Sequence, residues 1–113
     1  MSRITTHVLD TSRGRPAAGV AVALEREGDA GEWIAVGRGT TDADGRLRDL
    51  IGGGGEVGAG AYRLTFETGA YFAASGVESF YPRVAVIFSV AAGEHYHVPL
   101  LVNPFGYSTY RGS

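Results

Sequence analysis

The chain has 113 residues, with 12 acidic residues against 10 Lys or Arg, and its formal net charge is −2. Cysteine is absent, which excludes disulfides, thiolate metal ligands and a cysteine nucleophile. The slightly acidic balance argues against a nucleic-acid partner, whose binding surface is normally basic. A chain of this length forms one hydrophobic core, so we expect a single domain over residues 1–113.

No apolar segment of the sequence indicates membrane insertion or export. The longest apolar run, RVAVIFSVAA at residues 83–92, is much shorter than the roughly 20 residues that span a bilayer. The opening sequence MSRITTHVLD contains no apolar run of signal-peptide length. We therefore expect a cytoplasmic protein without membrane contact.

The spacing of apolar residues predicts β-strands along most of the chain. Segments that alternate or run apolar over strand length occur at residues 4–10, 20–27, 33–41, 62–68, 83–90 and 96–102. Turn sequences rich in Gly, Pro and Asp separate them. One short helix is predicted near residues 71–76, with Gly76 placed to close it. This pattern predicts an all-β fold, a two-sheet antiparallel sandwich of about eight strands.

Two glycine-containing segments resemble ligand loops but lack the residues that such loops need. IGGGGEVGAG at 51–60 has no Gly-Lys-Ser/Thr ending for phosphate and metal, so a flexible hairpin connection is favoured. DADGR at 42–46 has Leu47 where a calcium loop needs Gly and Gly53 where it needs Glu. We interpret DADG as a tight turn that delivers Arg46 to the start of the next strand.

The sequence contains three histidines, His7, His95 and His97. His95 and His97 lie two residues apart on a predicted strand, so their side chains point to the same face. Three interpretations stay open from these residues: a zinc site with an open fourth position, general acid–base chemistry, or ordinary hydrogen-bonded strand histidines. The last is favoured for His7, which has apolar neighbours.

Arginines and the tail offer two further candidate features. Arg46 and Arg48 share a strand face, either as two solvated charges or as a fork that binds a planar carbonyl or oxyanion. The tail NPFGYSTYRGS, residues 103–113, predicts a turn followed by a short docked strand. From these residues alone, an edge strand that covers the core or a subunit contact is the favoured interpretation. The serines lack a nucleophile-elbow context, which argues against a serine hydrolase.

Several segments together resemble a known family. In chain order they are HVLD (7–10), TTDADGRLRDL (40–50), YRLTFETGAYF (62–72), ESFYPRVAVIF (78–88) and HYHVPLLVNPFGYSTYRGS (95–113). They look like the transthyretin-related 5-hydroxyisourate hydrolases over essentially the whole chain, with the Gly-rich connection the least similar part. The terminal YRGS is the most specific signature, because transthyretin itself shares the sandwich but lacks that ending.

The resemblance implies a fold, an assembly and a reaction. It implies a transthyretin (prealbumin)-like sandwich in a homotetramer, a dimer of dimers whose central channel holds the active sites. The implied reaction opens the cyclic amide of 5-hydroxyisourate to give 2-oxo-4-hydroxy-4-carboxy-5-ureidoimidazoline, without metal or other cofactor. The alternatives are a transthyretin-like small-molecule binding protein without catalysis and a structural sandwich.

The resemblance also implies which residues form the site. Its essential histidines correspond to His7 and His97, its arginine to Arg46, and its terminal signature to Tyr110, Arg111, Gly112 and Ser113. On this basis, His7 and His97 activate water and handle its protons, while Arg46 holds the carbonyl edge of the substrate.

The tail residues take different roles in this hypothesis. Ser113, including its free carboxylate, joins the catalytic set, and it closes the substrate pocket together with Tyr110. Arg111, Gly112 and His95 are supporting residues, with Arg111 anchoring the tail.

Overall fold

The computed structural model describes residues 3–51 and 58–113. Within these residues the strands and the one helix are β1 Arg3–Asp10, β2 Arg15–Pro16, β3 Ala21–Glu27, β4 Trp33–Thr40, β5 Arg46–Leu47, β6 Gly60–Phe66, α1 Thr68–Ala74, β7 Val84–Val90, β8 His95–Asn103 and β9 Gly106–Thr109. The predicted all-β sandwich with one short helix is confirmed. Nine strands are described where about eight were expected, and two of the nine, β2 and β5, have only two residues each.

Two sheets face each other across the core. The first has the order β2-β1-β8-β9, with β5 also pairing with β1, and the second has the order β4-β3-β6-β7. All these pairs are antiparallel except β1 and β8, which run parallel. The antiparallel sandwich of the prediction therefore needs this one correction. Strands joined by a tight hairpin must run antiparallel, but the whole second sheet separates β1 from β8 along the chain, so no hairpin sets their direction.

Side-chain alternation divides each strand of the first sheet between the core and an outer face. On β1, Ile4 and Val8 are buried, while the intervening Thr5 and His7 are only partly buried. The inward residues of both sheets form one apolar cluster, which includes Leu64 and other fully buried side chains. Because the core takes every second residue, the outer face of this sheet is left to polar groups.

The helix starts earlier than the sequence predicts. It spans Thr68–Ala74 instead of 71–76, and Gly76 closes it with a φ of +70° and an amide that donates to Ala73 O. Gly69 fixes the start, since its amide donates to Pro82 O at 3.1 Å and a side chain there would meet the Pro82 backbone. The contact joins Gly69 to Pro82, which lies outside the local sequence. The residues before Gly69 favour a strand, so local sequence placed the start of the helix too late.

Two further expectations concern the Gly-rich segment and membrane contact. The expected hairpin connection at 51–60 lies largely outside the described residues, which leave out 52–57. Among the residues that are described, none of the helical structure is long and apolar enough to cross a membrane.

Candidate active site

The parallel pairing of β1 and β8 places Thr5 beside His97 on the outer face of the first sheet. The register sets Thr5 opposite His97, and Thr5 Oγ1 lies 2.8 Å from His97 Nδ1. His95 shares this outer face because it lies two residues before His97 on the same strand. The strand alternation thus collects two of the three histidines on one surface.

The DADG turn brings Arg46 next to the third histidine. Strand β5 pairs with β1 so that Arg46 lies opposite His7. Inside the turn, the Asp42 carboxylate accepts the amides of Asp44 and Arg46 at 2.9 and 3.0 Å. The Arg46 amide first, and the Asp44 amide and nearby arginines further, lower the pKa of Asp42 despite some opposing desolvation. The expected tight turn therefore delivers Arg46 as the sequence predicted.

The turn is fixed to β1 by its glycine. Gly45 has a φ of +73°, a conformation that side chains rarely adopt, and any Cβ there would collide with Val8 O. The Val8 amide in turn donates to Gly45 O at 2.7 Å. His7 completes the attachment, because its Nε2 lies 2.8 Å from Asp44 O. A carbonyl oxygen only accepts, so His7 carries a proton on Nε2.

The tail closes the other side of this surface. Strand β9 pairs antiparallel with β8, with Ser108 opposite Leu101, and the pairing resumes at Gly112, whose amide donates to His97 O at 2.8 Å. A Cβ on Gly112 would lie 2.7 Å from His97 Cδ2, so the backbone packs directly on the imidazole. The docked tail strand that the sequence predicts is present, and it ends at His97.

These elements enclose a cavity of about 330 Å³. Its lining residues are Arg3, Thr5, Thr6, Arg46, Arg48, His95, Tyr96, His97, Gly112 and Ser113. Arg3, Arg46 and Arg48 bring guanidinium groups to it, and no Asp or Glu side chain appears among the described lining residues. Guanidinium groups bind carbonyl and anionic oxygens with two parallel hydrogen bonds, so the cavity suits a flat polar molecule rich in oxygen. Over residues 3–51 and 58–113, no three His, Asp or Glu side chains are grouped as metal ligands.

The environment of His97 favours its neutral form. Burial lowers the pKa of His97 below its usual 6.5, and the charges of His7 and Arg46 lower it further. Near neutral pH the imidazole therefore keeps a lone pair that can accept a proton.

The structure separates the candidate residues into two groups. Those that line the cavity are Arg46, His95, His97, Gly112 and Ser113. His7 lies next to Arg46 without lining the cavity itself. Tyr110 is 58% exposed and borders a different depression, beside Ile87 on β7. Within the single chain, Tyr110 thus lies apart from the site that the sequence analysis assigned to it.

Arg111 contacts residues at the start of β8. Its guanidinium lies 4.5 Å from the centre of the Tyr96 ring and 3.5 Å from Glu94 Oε1. A cation over an aromatic face contributes roughly 0.5–1 kcal/mol at an exposed site. The anchoring role of Arg111 stays a prediction.

Sequence reasoning missed four residues of the cavity, Thr6, Tyr96, Thr5 and Arg3, and the last two show why. Alternation from His7 places both on the same face of β1, but only the register with β8 shows that they flank His97 and His95. That register joins residues 92 positions apart, so no local pattern could reveal it.

Comparisons with known proteins agree with this fold. A sequence model of the HIUase/Transthyretin family matches residues 4–112. A 5-hydroxyisourate hydrolase of Caulobacter vibrioides is 48% identical over 119 aligned positions that cover 100% of both chains. The structure of Klebsiella pneumoniae 5-hydroxyisourate hydrolase is similar with a TM-score of 0.88 and 43% identity over 100% of both chains. Sea bream transthyretin in complex with thyroxine is similar with a TM-score of 0.90 and 32% identity, over 96% of this chain and 93% of that chain.

Proposed function

Because the chain belongs to the HIUase/transthyretin family, we propose that it is an enzyme that hydrolyses 5-hydroxyisourate, the unstable product of urate oxidation. The observation that carries this proposal is the pairing, in one cavity, of a neutral histidine with a nearby arginine. His97 supplies a proton acceptor and Arg46 supplies a fixed positive charge. Both groups accelerate the opening of a cyclic amide by water.

The proposed mechanism starts with His97 as the general base. His97 takes a proton from a water molecule while the water oxygen attacks the ring carbonyl carbon of the substrate. The carbonyl π electrons move onto oxygen, and the tetrahedral species then expels the ring nitrogen, which leaves with the proton that His97 returns. This opens the ring and gives 2-oxo-4-hydroxy-4-carboxy-5-ureidoimidazoline. General base catalysis of this kind contributes about 10²–10⁴-fold.

Arg46 acts on the developing negative charge. Its backbone is fixed by the DADG turn and the residue lines the cavity, so its guanidinium can meet the carbonyl oxygen as it becomes an oxyanion. A preorganised donor to an oxyanion is worth about 10²–10³-fold in rate. His7, opposite Arg46 on β1, is the second proposed proton-handling group, and Nδ1 is its ring nitrogen that is not bound to Asp44 O.

The tail forms one wall of the proposed site. Gly112 fits against the His97 ring only because it has no side chain, and Ser113 extends the wall into the cavity. His95 also lines the cavity and is a supporting residue in this proposal. Ser113 and Arg46 are therefore the proposed substrate contacts of the protomer, with Tyr110 joining them only if assembly brings it to the channel.

We further propose that the protein assembles as a homotetramer, a dimer of dimers with the sites in a central channel. Large apolar side chains support this, because Ile87 is 62% exposed on β7 and Phe105 is 71% exposed beside β9. These strands end the two sheets on the described chain, so their unpaired edges are available to a second copy. Light scattering behind gel filtration measures the assembly directly.

Binding without catalysis is the second candidate function. The similarity to a transthyretin that is bound to thyroxine favours it. The site itself favours hydrolysis, because a carrier for an apolar ligand has no use for a neutral histidine beside a fixed arginine.

To test the proposed function, 5-hydroxyisourate is generated in situ from urate with urate oxidase. Its ultraviolet absorbance is followed with and without the protein. We expect decay faster than the spontaneous rate, and loss of the acceleration in His97→Ala and Arg46→Ala. Arg38→Ala, on the second sheet, is the matched control and keeps wild-type activity. Equal decay with and without wild-type protein contradicts the proposal.

A further inference from the structure

Thr5 is the only side chain that the described residues show hydrogen-bonded to the ring of His97. Its Oγ1 lies 2.8 Å from Nδ1, and both residues line the cavity. The contact is built into the sheet, because Thr5 and His97 are direct partners in the parallel register. Threonine is also stiff at χ1, so its hydroxyl is held in place with little loss of conformational entropy.

The contact limits which ring nitrogen of His97 can do chemistry. A neutral imidazole carries one N–H and one lone pair, on different nitrogens. Since Thr5 engages Nδ1, only Nε2 is left to meet a water molecule or substrate. Nε2 can accept a proton only if the ring proton is on Nδ1, where it donates to Thr5 Oγ1.

We propose that Thr5 is a positioning residue that accepts the Nδ1–H of His97 and thereby keeps the lone pair on Nε2, facing the cavity. This inference rests on the proposed function, because the 2.8 Å contact fits either tautomer and the need for a proton acceptor at Nε2 selects the Nδ1–H form. Thr5 touches neither water nor substrate in this role and acts through His97.

The chemistry of the surroundings explains why a neutral hydroxyl occupies this position. The charged and titratable groups that face His97 are Arg3 and His7 on β1, Arg46 on β5 with Arg48 after it, His95 on β8, and Ser113 at the tail. A carboxylate on Nδ1 would stabilise the imidazolium, and His97 would then hold its proton. A threonine orients the ring without adding negative charge, so the ring stays free to accept a proton.

Histidine labelled with ¹⁵N tests the tautomer independently of activity. In wild-type protein at neutral pH, we expect the His97 ring to show the Nδ1–H tautomer in two-dimensional ¹H–¹⁵N spectra. Thr5→Ser keeps a hydroxyl and should keep this tautomer. Thr5→Val keeps the shape but removes the acceptor, so it should give a mixture or the Nε2–H form. An Nε2–H tautomer in the wild-type protein overturns the inference even if no variant folds.

Kinetics give the second readout. Loss of a group that orients a functional histidine typically costs about 10–100-fold, so we expect that loss in kcat for Thr5→Val. KM should stay within about 2-fold, because Thr5 is not a substrate contact, and Thr5→Ser should recover most of kcat. Thr65→Val on β6, in the other sheet, is the matched control and should behave as wild type.

The two proposals fail in different ways. If wild-type protein leaves the decay of 5-hydroxyisourate unchanged, the proposed function fails while the NMR result still decides the role of Thr5. If wild-type protein is active and Thr5→Val keeps both full kcat and the Nδ1–H tautomer, Thr5 does not position His97.

Discussion

Gly112 packs directly against the imidazole of His97, with its amide donating to His97 O at 2.8 Å. A Cβ at Gly112 would lie 2.7 Å from His97 Cδ2, a distance at which one of the two groups must move. We therefore expect Gly112→Ala to displace the ring and lower kcat/KM about 10–100-fold, because misplacement of about 1 Å can cost 10²-fold. Steady-state kinetics with 5-hydroxyisourate measure the loss.

Gly106→Ala is the matched control for this effect. Gly106 lies on the same tail strand, but a Cβ there would come no nearer than 3.7 Å to Asn103, which is ordinary contact. Near wild-type activity in Gly106→Ala and a clear loss in Gly112→Ala place the effect at the ring. Equal activity in both variants shows that the contact does not matter for turnover.

Arg46→Lys tests whether the guanidinium fork, rather than charge alone, holds the substrate. Lysine keeps the charge but cannot form two parallel hydrogen bonds to a carbonyl or oxyanion. We expect at least a 10²-fold loss in kcat/KM, in line with the removal of one oxyanion donor. Arg38→Lys on β4 serves as the control. Nearly full kcat/KM in Arg46→Lys refutes the proposed role of the fork.

The pH dependence of the reaction should report His97. Burial, then the charges of His7 and Arg46, lower the pKa of His97, so the neutral base persists to pH values below 6.5. We expect the acidic limb of kcat/KM to lie below that pH and the ¹³C or ¹⁵N titration of His97 to follow it. In Arg46→Met one lowering charge is gone, so the pKa of His97 should rise. An unchanged titration in Arg46→Met contradicts this electrostatic coupling.

The buried carboxylate of Asp10, on β1, allows a test of stability that is separate from activity. Asp10 is fully buried and accepts a hydrogen bond from the Tyr71 hydroxyl at 2.8 Å. Burial raises the pKa of Asp10, but hydrogen bonds from Ser12, Tyr71 and the Arg13 amide outweigh it and leave the pKa below 3.8. Tyr71→Phe should lower the free energy of unfolding by about 1–3 kcal/mol, the cost of a lost hydrogen bond to a charged group.

The sign of the pH effect follows from the lowered pKa of Asp10. Its stabilisation is present above the unfolded-state value near 3.9 and is lost as the pH falls through the folded-state value. The difference between wild type and Tyr71→Phe should therefore be full at pH 7 and shrink below pH 4. Urea denaturation at matched protein concentrations measures both, with Tyr107→Phe, an exposed tyrosine, as control. A difference that does not depend on pH indicates that Asp10 is not the partner that matters.

Features set by local sequence could be predicted, and features set by strand pairing could not. Alternation places His95 and His97 on one face, and Asp-Gly chemistry places Arg46 at the start of a strand. Both features follow from residues within a few positions of each other. The structure shows both, along with the docked tail strand.

The partners of His97 show what sequence could not supply. Its ring contacts Thr5, which lies 92 residues away, through a parallel pairing that no hairpin dictates. Tyr110 is a second residue whose surroundings the sequence could not predict. Its place in the resemblance indicates the site, but alternation along the tail turns it to the face that meets β7. Which residues meet in the site depends on register, and register depends on the packing of the whole sandwich.

The most direct test of the account is the number of 5-hydroxyisourate molecules consumed per protomer. Substrate is generated from urate in large excess over the protein, and its absorbance is followed to completion. A hydrolase consumes many equivalents per protomer at a rate above spontaneous decay, and this is the result we predict. Removal of no more than one equivalent per protomer, followed by decay at the spontaneous rate, would mean that the protein binds the compound without hydrolysing it.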